Sequence, residues 1–453
     1  MRTNRRNRHY GARRLPRLLY ALLTCALLTG CGSLQPRINV SELPANRQAE
    51  DGEVELTMWL YGSSGLETLV ERYELLHPHV KVNLIHSTYE DVHNNLQTAF
   101  ASGYGAPDVC LIEISFMERF KQFPDYFQNL ADFGASDLGT QYLPWKWKQA
   151  TNADGSFVYG LPTDIGPVAV IYRPELFAAA GLPTERNALA KRIATWDDFL
   201  AVGQRIRSET GKPMIDQIKT LYRMVLFQAD VQYFDPHTGE LVIESNPAVR
   251  EAWNTAVRAS ELGLSAYETS WSPEWARGIS DGAFATILSP SWMLNDIKLN
   301  APGAQGAWDV TYLPGGSGNW GGSFLTIPDM SSKKTEAYEL IRWLTDPKQQ
   351  LALYSSLNNF PSTPLIYEDP AIRDKMDPFF RHAPVGRIFS DAAKNVRPTY
   401  EGAKQHVVTQ IMEAALDKVE EREATPEEAW DEAMTLIHKQ LQLEPWEKGE
   451  IPE

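Results

Sequence analysis

Residues 54–60, Val54-Glu55-Leu56-Thr57-Met58-Trp59-Leu60, are dominated by apolar and β-favouring side chains, and Gly62 to Gly65 break the run. An amphipathic segment continues through Leu76. A second β-type run follows from Val80 to Ile85, then a helical stretch around Asp91 to Ala101. A third run, Asp108 to Ile112, is apolar after its first residue and is preceded by Pro107. This strand–helix–strand–helix–strand order predicts a parallel sheet with helices on its faces. Ligands of such sheets lie beyond the carboxyl ends of the strands. Tyr61 and Gly62, after the first strand, and Glu113 to Phe116, after the third, are therefore the first candidates for contact with a ligand.

A second α/β unit opens at Tyr159-Gly160-Leu161-Pro162. Val168 to Tyr172 predicts a strand, and Pro174 to Ala180 a helix closed by Gly181. Thr195 is placed as the N-cap of the next helix, with Asp197 and Asp198 in its first turn. Farther on, Asp281 to Leu288 and Gly322 to Ile327 read as strands and Ala337 to Leu344 as a helix. Glu401 to Leu441 reads as two helices, the second opened by Thr425-Pro426-Glu427-Glu428. Trp196, Trp253, Trp343 and Trp430 fall inside helical patterns and read as packing residues. Trp145 and Trp147, interleaved with Lys146 and Lys148, suit either a surface or a core.

Composition narrows the function. The chain has 453 residues and a formal charge of −15. Residues 1–30 carry seven Arg and no acid, so their removal leaves a body seven units more negative. Such a body argues against nucleic acid and against a basic membrane-binding face. About 400 residues remain, beyond the size at which one core stops growing, which predicts two lobes. The first thirty residues combine an Arg-rich start with an apolar run from Leu18 to Leu28, shorter than a membrane span. They end in Leu28-Thr29-Gly30-Cys31, which resembles the lipobox of bacterial lipoproteins. The resemblance implies a signal peptide over 1–30 and a diacylglyceryl and palmitoyl anchor on Cys31; a plain signal peptide or a signal anchor is the alternative. Residues 31–51, polar and with Pro36 and Pro44, read as a tether. With Cys25 removed and Cys31 acylated, Cys110 is left without a partner and reads as a small buried hydrophobe.

Enzyme signatures do not appear. HExxH, GxSxG and CxxC are absent, and Gly211-Lys212 lacks the first glycine of a phosphate loop. His77 and His79 flank Pro78 as surface residues, and Asp235 to Glu240 has too few spaced oxygens for calcium and reads as a turn. A pair of catalytic carboxylates is not marked out among the many present. Neither a cofactor nor a metal is expected.

Several segments, taken in order, resemble the family 1 extracellular solute-binding proteins of ABC importers, distantly including maltodextrin-binding protein. These are Glu55 to Gly62, His77-Pro78-His79-Val80-Lys81-Val82, Ala106-Pro107-Asp108-Val109 and Tyr159 to Pro167. Tyr172 to Leu182, Thr195-Trp196-Asp197-Asp198-Phe199, Ser291-Trp292-Met293, and Gly321 to Pro328 with Ala337 to Pro347 complete the series. The resemblance implies an α/β, two-lobed periplasmic-binding-protein-like fold of type II, with a ligand cleft that closes by hinge bending. It places lobe one at 52–165 with 310–352, lobe two at 166–309 with 353–443, and a tail at 444–453. The implied role is capture of a carbohydrate, an oligosaccharide before a monosaccharide, for an ABC permease. The implied setting is extracytoplasmic, as a lipid-anchored monomer.

Aromatic rings suit the C–H faces of a sugar, while carboxylates and amides suit its hydroxyl edge. On that logic and on what the resemblance implies, the candidate ligand-binding residues are Tyr61, Glu113, Ser115, Asp164, Trp271, Trp292, Trp320, Gly321 and Tyr400, the last lying where the family contributes an aromatic from its late second-lobe segment. Tyr61 is equally a surface-turn residue, and Asp164 either binds a hydroxyl or holds the hinge. One of Trp271 and Trp275 lines the cleft. Trp292 matches a position that stacks on sugar in the family. Gly321 and Gly322 permit close backbone approach. Two alternatives stay open: the same importer role for a non-sugar solute, and a surface polysaccharide-degrading enzyme.

Overall fold

The computed structural model describes residues 52–443 apart from Pro398; the expected signal peptide with Cys31, the tether and the tail lie outside the described residues. Its strands are β1 (Val54–Tyr61), β2 (Val80–Ser87), β3 (Val109–Glu113), β4 (Gly160–Pro162), β5 (Asp164–Ile165), β6 (Val168–Tyr172), β7 (Thr286–Pro290), β8 (Asp309–Thr311), β9 (Ser323–Thr326) and β10 (Phe360–Pro361).

The first lobe is built on a sheet of order β2-β1-β3-β9-β4. β1 runs parallel to β2, from Val54 opposite Val80 to Tyr61 opposite Ser87, and parallel to β3. β9 enters antiparallel between β3 and β4. Successive side chains of a strand point to opposite faces. Accordingly Leu56, Met58, Leu60, Val109 and Leu111 are buried under the helices Leu66–Leu76 and Lys334–Leu344. Trp59, Cys110 and Ile112 face the helices Tyr89–Ser102 and Ile114–Lys121. Cys110 is fully buried and its thiol is pushed up by that burial, which agrees with a packing role.

The second lobe has a smaller sheet, β7-β6-β8, in which both neighbours run antiparallel to β6. Val168, Val170 and Tyr172 face the helices Trp196–Thr210, Ile218–Leu226, Pro247–Glu261, Gln405–Glu420 and Pro426–Leu443. Ala169 and Ile171 face Pro273–Asp281, Met293–Asn300 and Val385–Lys394. Trp253 and Trp430 meet edge to face at 5.3 Å inside the first of these cores, as packing residues. Thr195 caps the helix Trp196–Thr210 by accepting from Asp198 N at 3.1 Å, a contact of about 1 kcal/mol.

Two boundaries differ from expectation. Asp281 ends a helix instead of opening a strand: Gly282, at φ 66°, turns the chain, and the strand begins only at Thr286. The return from the second lobe comes later than 310, because β8 is hydrogen-bonded to β6 through Thr311.

Passages between the lobes lie side by side. Trp320 N donates to Gly166 O at 2.7 Å, Gly166 N donates to Asn319 Oδ1 at 2.9 Å, and Pro167 bridges Asn319. A β-carbon on Gly166 would stand 1.8 Å from the Trp320 carbonyl oxygen, so this approach requires glycine. β5 pairs antiparallel with β10, which brings in the third passage. The helix before it, Pro347–Leu357, is shared: Leu353 packs into the first lobe and Tyr354 into the second.

Candidate functional site

The carboxyl ends of β1, β2 and β3 and the amino end of β9 form one rim. Tyr61 Oη lies 2.5 Å from Ser323 Oγ. Glu113 closes β3 and caps the helix Ile114–Lys121, its Oε2 accepting from Ser115 N at 2.8 Å and from Ser115 Oγ at 2.5 Å. Tyr89, the residue that opens the helix after β2, donates a third bond to that oxygen at 2.8 Å. Oε1 points elsewhere: a β-carbon on Gly321 would stand 3.6 Å from it. Burial raises the Glu113 carboxyl, against the hydrogen bonds of Ser115 and Tyr89 and the charge of Lys146.

His93 stiffens this rim from behind. Glu113 N donates to His93 Nε2 at 3.0 Å, so Nδ1 carries the proton and donates to Tyr89 O at 2.7 Å. Burial depresses the imidazole to about 3, and its ring stacks on Phe116 at 4.0 Å and 8°. A neutral imidazole is thus held in one tautomer and fixes both Glu113 and Tyr89.

Indoles make up the facing rim. Trp292 follows β7 and donates from Nε1 to Trp320 O at 3.1 Å. Trp271 lies parallel to Trp292 within 9°, centroids 6.3 Å apart, while Trp320 stands across Trp292 at 5.8 Å and 73°. Trp271 is 48% exposed and has φ 65°, an uncommon backbone state for so bulky a residue. Its Nε1 donates to Asp296 Oδ2 at 3.0 Å. The Arg223 guanidinium lies 4.4 Å from the Trp320 ring centre and is itself held by Glu413. This partly exposed indole wall can cover an apolar ligand face.

Between the rims runs a polar floor. Asp164 Oδ1 accepts from Ser323 N at 3.1 Å and from Thr163 Oγ1 at 2.6 Å. Gly321 and Gly322 have φ 84° and 104°. Lys146 lies beneath Gly322, fully buried, its Nζ 3.8 Å from the Phe324 ring centre. Burial lowers its ammonium to about 8 although Asp164, Glu113 and Glu401 oppose that shift. Glu401 arrives from the second lobe, and burial and then Glu113 push its carboxyl up to about 8. His406, also of the second lobe, meets Phe116 at 4.5 Å and Tyr89 at 5.9 Å, so the two lobes touch across the cleft.

Tyr61, Glu113 and Ser115 share the first rim, Trp271, Trp292, Trp320 and Gly321 the second, and Asp164 lies between. Tyr400 stands apart from the indoles, in a bridge to Val231 and packed on the helical core; its neighbour Glu401 is the residue that reaches the cleft charges. Of the Ser270-to-Ala276 pair, Trp275 is fully buried and bonded to Asp216 at 3.0 Å, leaving Trp271 at the opening. Trp145 is buried and Trp147 stacks on Tyr142 at 5.6 Å. Tyr89, His93, Lys146, Glu401 and His406 escaped the sequence reading. Tyr89 alone carried a signal, since it stands just past the end of β2, while Tyr61 is the last residue of β1.

The family model described as bacterial extracellular solute-binding protein matches residues 68–378. A lactose-binding protein of Rhizobium radiobacter is 28% identical over 323 residues, 68% of this chain and 74% of that protein. An arabinooligosaccharide-binding protein of Halalkalibacterium halodurans is 24% identical over 421 residues, 86% of this chain and 91% of the other. A crystal structure of an extracellular solute-binding protein of family 1 is 36% identical, with a TM-score of 0.79 across 84% of this chain and 98% of that one.

Proposed function

Because the chain belongs to the bacterial extracellular solute-binding protein family, we propose that it captures a carbohydrate, an oligosaccharide first of all, and delivers it to the permease of an ABC importer. Membership carries an extracytoplasmic setting. The observation that supports a sugar most directly is the opposition of two unlike rims. The indoles of Trp271, Trp292 and Trp320 offer apolar faces, while Glu113, Ser115, Tyr61 and Tyr89 offer directed hydrogen-bonding atoms. A pyranose or furanose has that same division, C–H patches on its faces and hydroxyls around its edge. Each hydrogen bond to a charged group contributes about 1.5–3 kcal/mol, enough for micromolar capture when a few act together.

The role is binding without chemistry on the ligand: Glu113 spends one oxygen as a helix cap, and Asp164 Oδ1 accepts from Ser323 N and Thr163 Oγ1. Cys31 serves as the lipid anchor, and the 31–51 segment keeps a monomeric receptor near its permease at high effective concentration. Intrinsic tryptophan fluorescence and calorimetry with lactose, arabino-oligosaccharides and other short oligosaccharides test the ligand class; absence of binding to every sugar overturns it. Cys31→Ala should release a folded, ligand-competent protein from the membrane fraction, and unchanged retention would refute the anchor.

A further inference from the structure

Resting on the carbohydrate reading, we propose that Lys146 is a specificity-determining residue of the cleft, its ammonium donating to a ligand hydroxyl that in turn donates to Glu113 or Glu401. None of the sequence motifs pointed to this residue. It lies within the short helix Pro144–Ala150, where an apolar side chain would pack as readily. Instead it carries a fully buried ammonium whose Nζ has no acceptor among the described residues. An unpaired charge removed from water is among the most costly arrangements a fold can hold. The ring face of Phe324, at 3.8 Å, covers one side of it.

On another side it is covered by glycine backbone with no side chain between. Gly322 is the neighbour there, and a β-carbon at that position would stand 3.0 Å from Nζ and 2.6 Å from the Asp164 carbonyl oxygen. Three carboxylates act on it: Asp164 and Glu113 from the first lobe and hinge, and Glu401 from the second lobe. Glu113 keeps Oε1 outside its hydrogen bonds to Ser115 and Tyr89.

Chemistry selects the group that completes this set. An ammonium only donates and an ionised carboxylate only accepts, so neither satisfies the other fully unless they touch, and Lys146 forms no ion pair among the described residues. A hydroxyl accepts and donates at once. One placed beside Nζ takes a hydrogen bond from Lys146 and returns one to Glu113 or Glu401. A ligand carboxylate would meet three acidic side chains against one ammonium, and a ligand ammonium at the same point could accept nothing from Nζ, which would stay unpaired. The arrangement therefore reads one particular hydroxyl of an uncharged sugar, and it is complete only when both lobes contribute.

The test uses the mature protein with lactose and an arabinotriose as probes, and the variants Lys146→Met and Lys146→Gln. Calorimetry should show a loss of affinity of about thirtyfold or more in Lys146→Met, with a smaller loss in Lys146→Gln, which keeps a donor. Melting curves confirm that each variant is folded, and Lys146→Gln serves if Lys146→Met is not. A series of monodeoxy analogues then separates contact from support. One deoxy position should weaken binding to the wild type and have no further effect in the variant, whereas equal losses at every position in both proteins overturn the contact. Affinity within threefold of wild type in both variants overturns the role of Lys146 and leaves the carbohydrate reading standing. Preference for a uronic-acid disaccharide or a glucosamine disaccharide overturns the charge argument. Failure of the wild type to bind any of these sugars overturns the carbohydrate reading and this inference with it.

Discussion

Polar side chains of the first rim come from strand ends, held by a helix cap and a neutral histidine, whereas the second rim draws its indoles from a loop, a helix start and a lobe crossing. The first is over-determined by hydrogen bonds: Glu113 Oε2 takes three of them and His93 two more. Ring contacts, one indole hydrogen bond to a backbone carbonyl and a strained backbone at Trp271 hold the second. Rigid polar groups discriminate among ligands because a misplaced hydroxyl finds no alternative partner. Broad apolar faces supply affinity that tolerates variation in the ring they cover. The comparison thus assigns most of the strength to the second rim and most of the selectivity to the first.

Trp292→Ala is the sharpest attack on that division. It removes a ring face and the bond to Trp320 O, and should weaken sugar binding by about 2–3 kcal/mol, about thirtyfold to 150-fold by calorimetry. A loss below threefold would break the assignment of strength to the indoles. Glu113→Gln should cost less, about 1.5 kcal/mol, and should spare melting temperature because the amide oxygen can still accept from Ser115 N. Its signature is an altered ranking of sugars, measured by competition; uniform weakening across the panel would move selectivity elsewhere.

Acidity tests the contact between the lobes. Glu401 faces Glu113, Lys146, Glu118 and Arg223, and with the lobes in contact burial and Glu113 raise it to about 8 from an ordinary 4.5. A carboxyl with a raised value favours the closed state when protonated. If opening restores its ordinary value, closure takes up a proton between about pH 4.5 and 8, and affinity falls as pH rises through that window. Affinity should therefore decline from about pH 4.5 and level off above about pH 8. Calorimetry in buffers of different ionisation heat should register the proton uptake, and Glu401→Gln should abolish the slope. A flat profile in the wild type would sink the assignment.

His406→Ala should have the smallest effect. It deletes the ring contact with Phe116 and Tyr89 and should change affinity less than threefold. X-ray scattering of the ligand-free protein should nevertheless report a larger radius of gyration, and an unchanged radius would show that this contact does not hold the lobes together.

The first lobe was legible in the sequence because its strands alternate with helices and their apolar runs are long. Tyr61 and Glu113 followed from the position of strand ends. Asp281 misled because the Gly282 turn could be read as strand continuation, and the extent of β8 depends on a pairing with β6 that lies more than a hundred residues away. Lys146, Glu401 and His406 carry no local signal. Their meaning arises only when residues near 113, 146, 322 and 401 meet, and no window of sequence contains that meeting.

The hydrogen-bonded passages at the hinge have a mechanical consequence. Gly166, Pro167, Asn319 and Trp320 are laced together, and β5 is laced to β10, so neighbouring crossings cannot slide past one another without breaking backbone bonds. Such a laminated leaf bends readily about one axis and resists shear and twist. Motion of the lobes then has essentially one coordinate. A single dye pair, one on each lobe, would report the whole of it, and the deeply buried thiol of Cys110 would leave newly introduced surface cysteines as the sites of attachment on the described body.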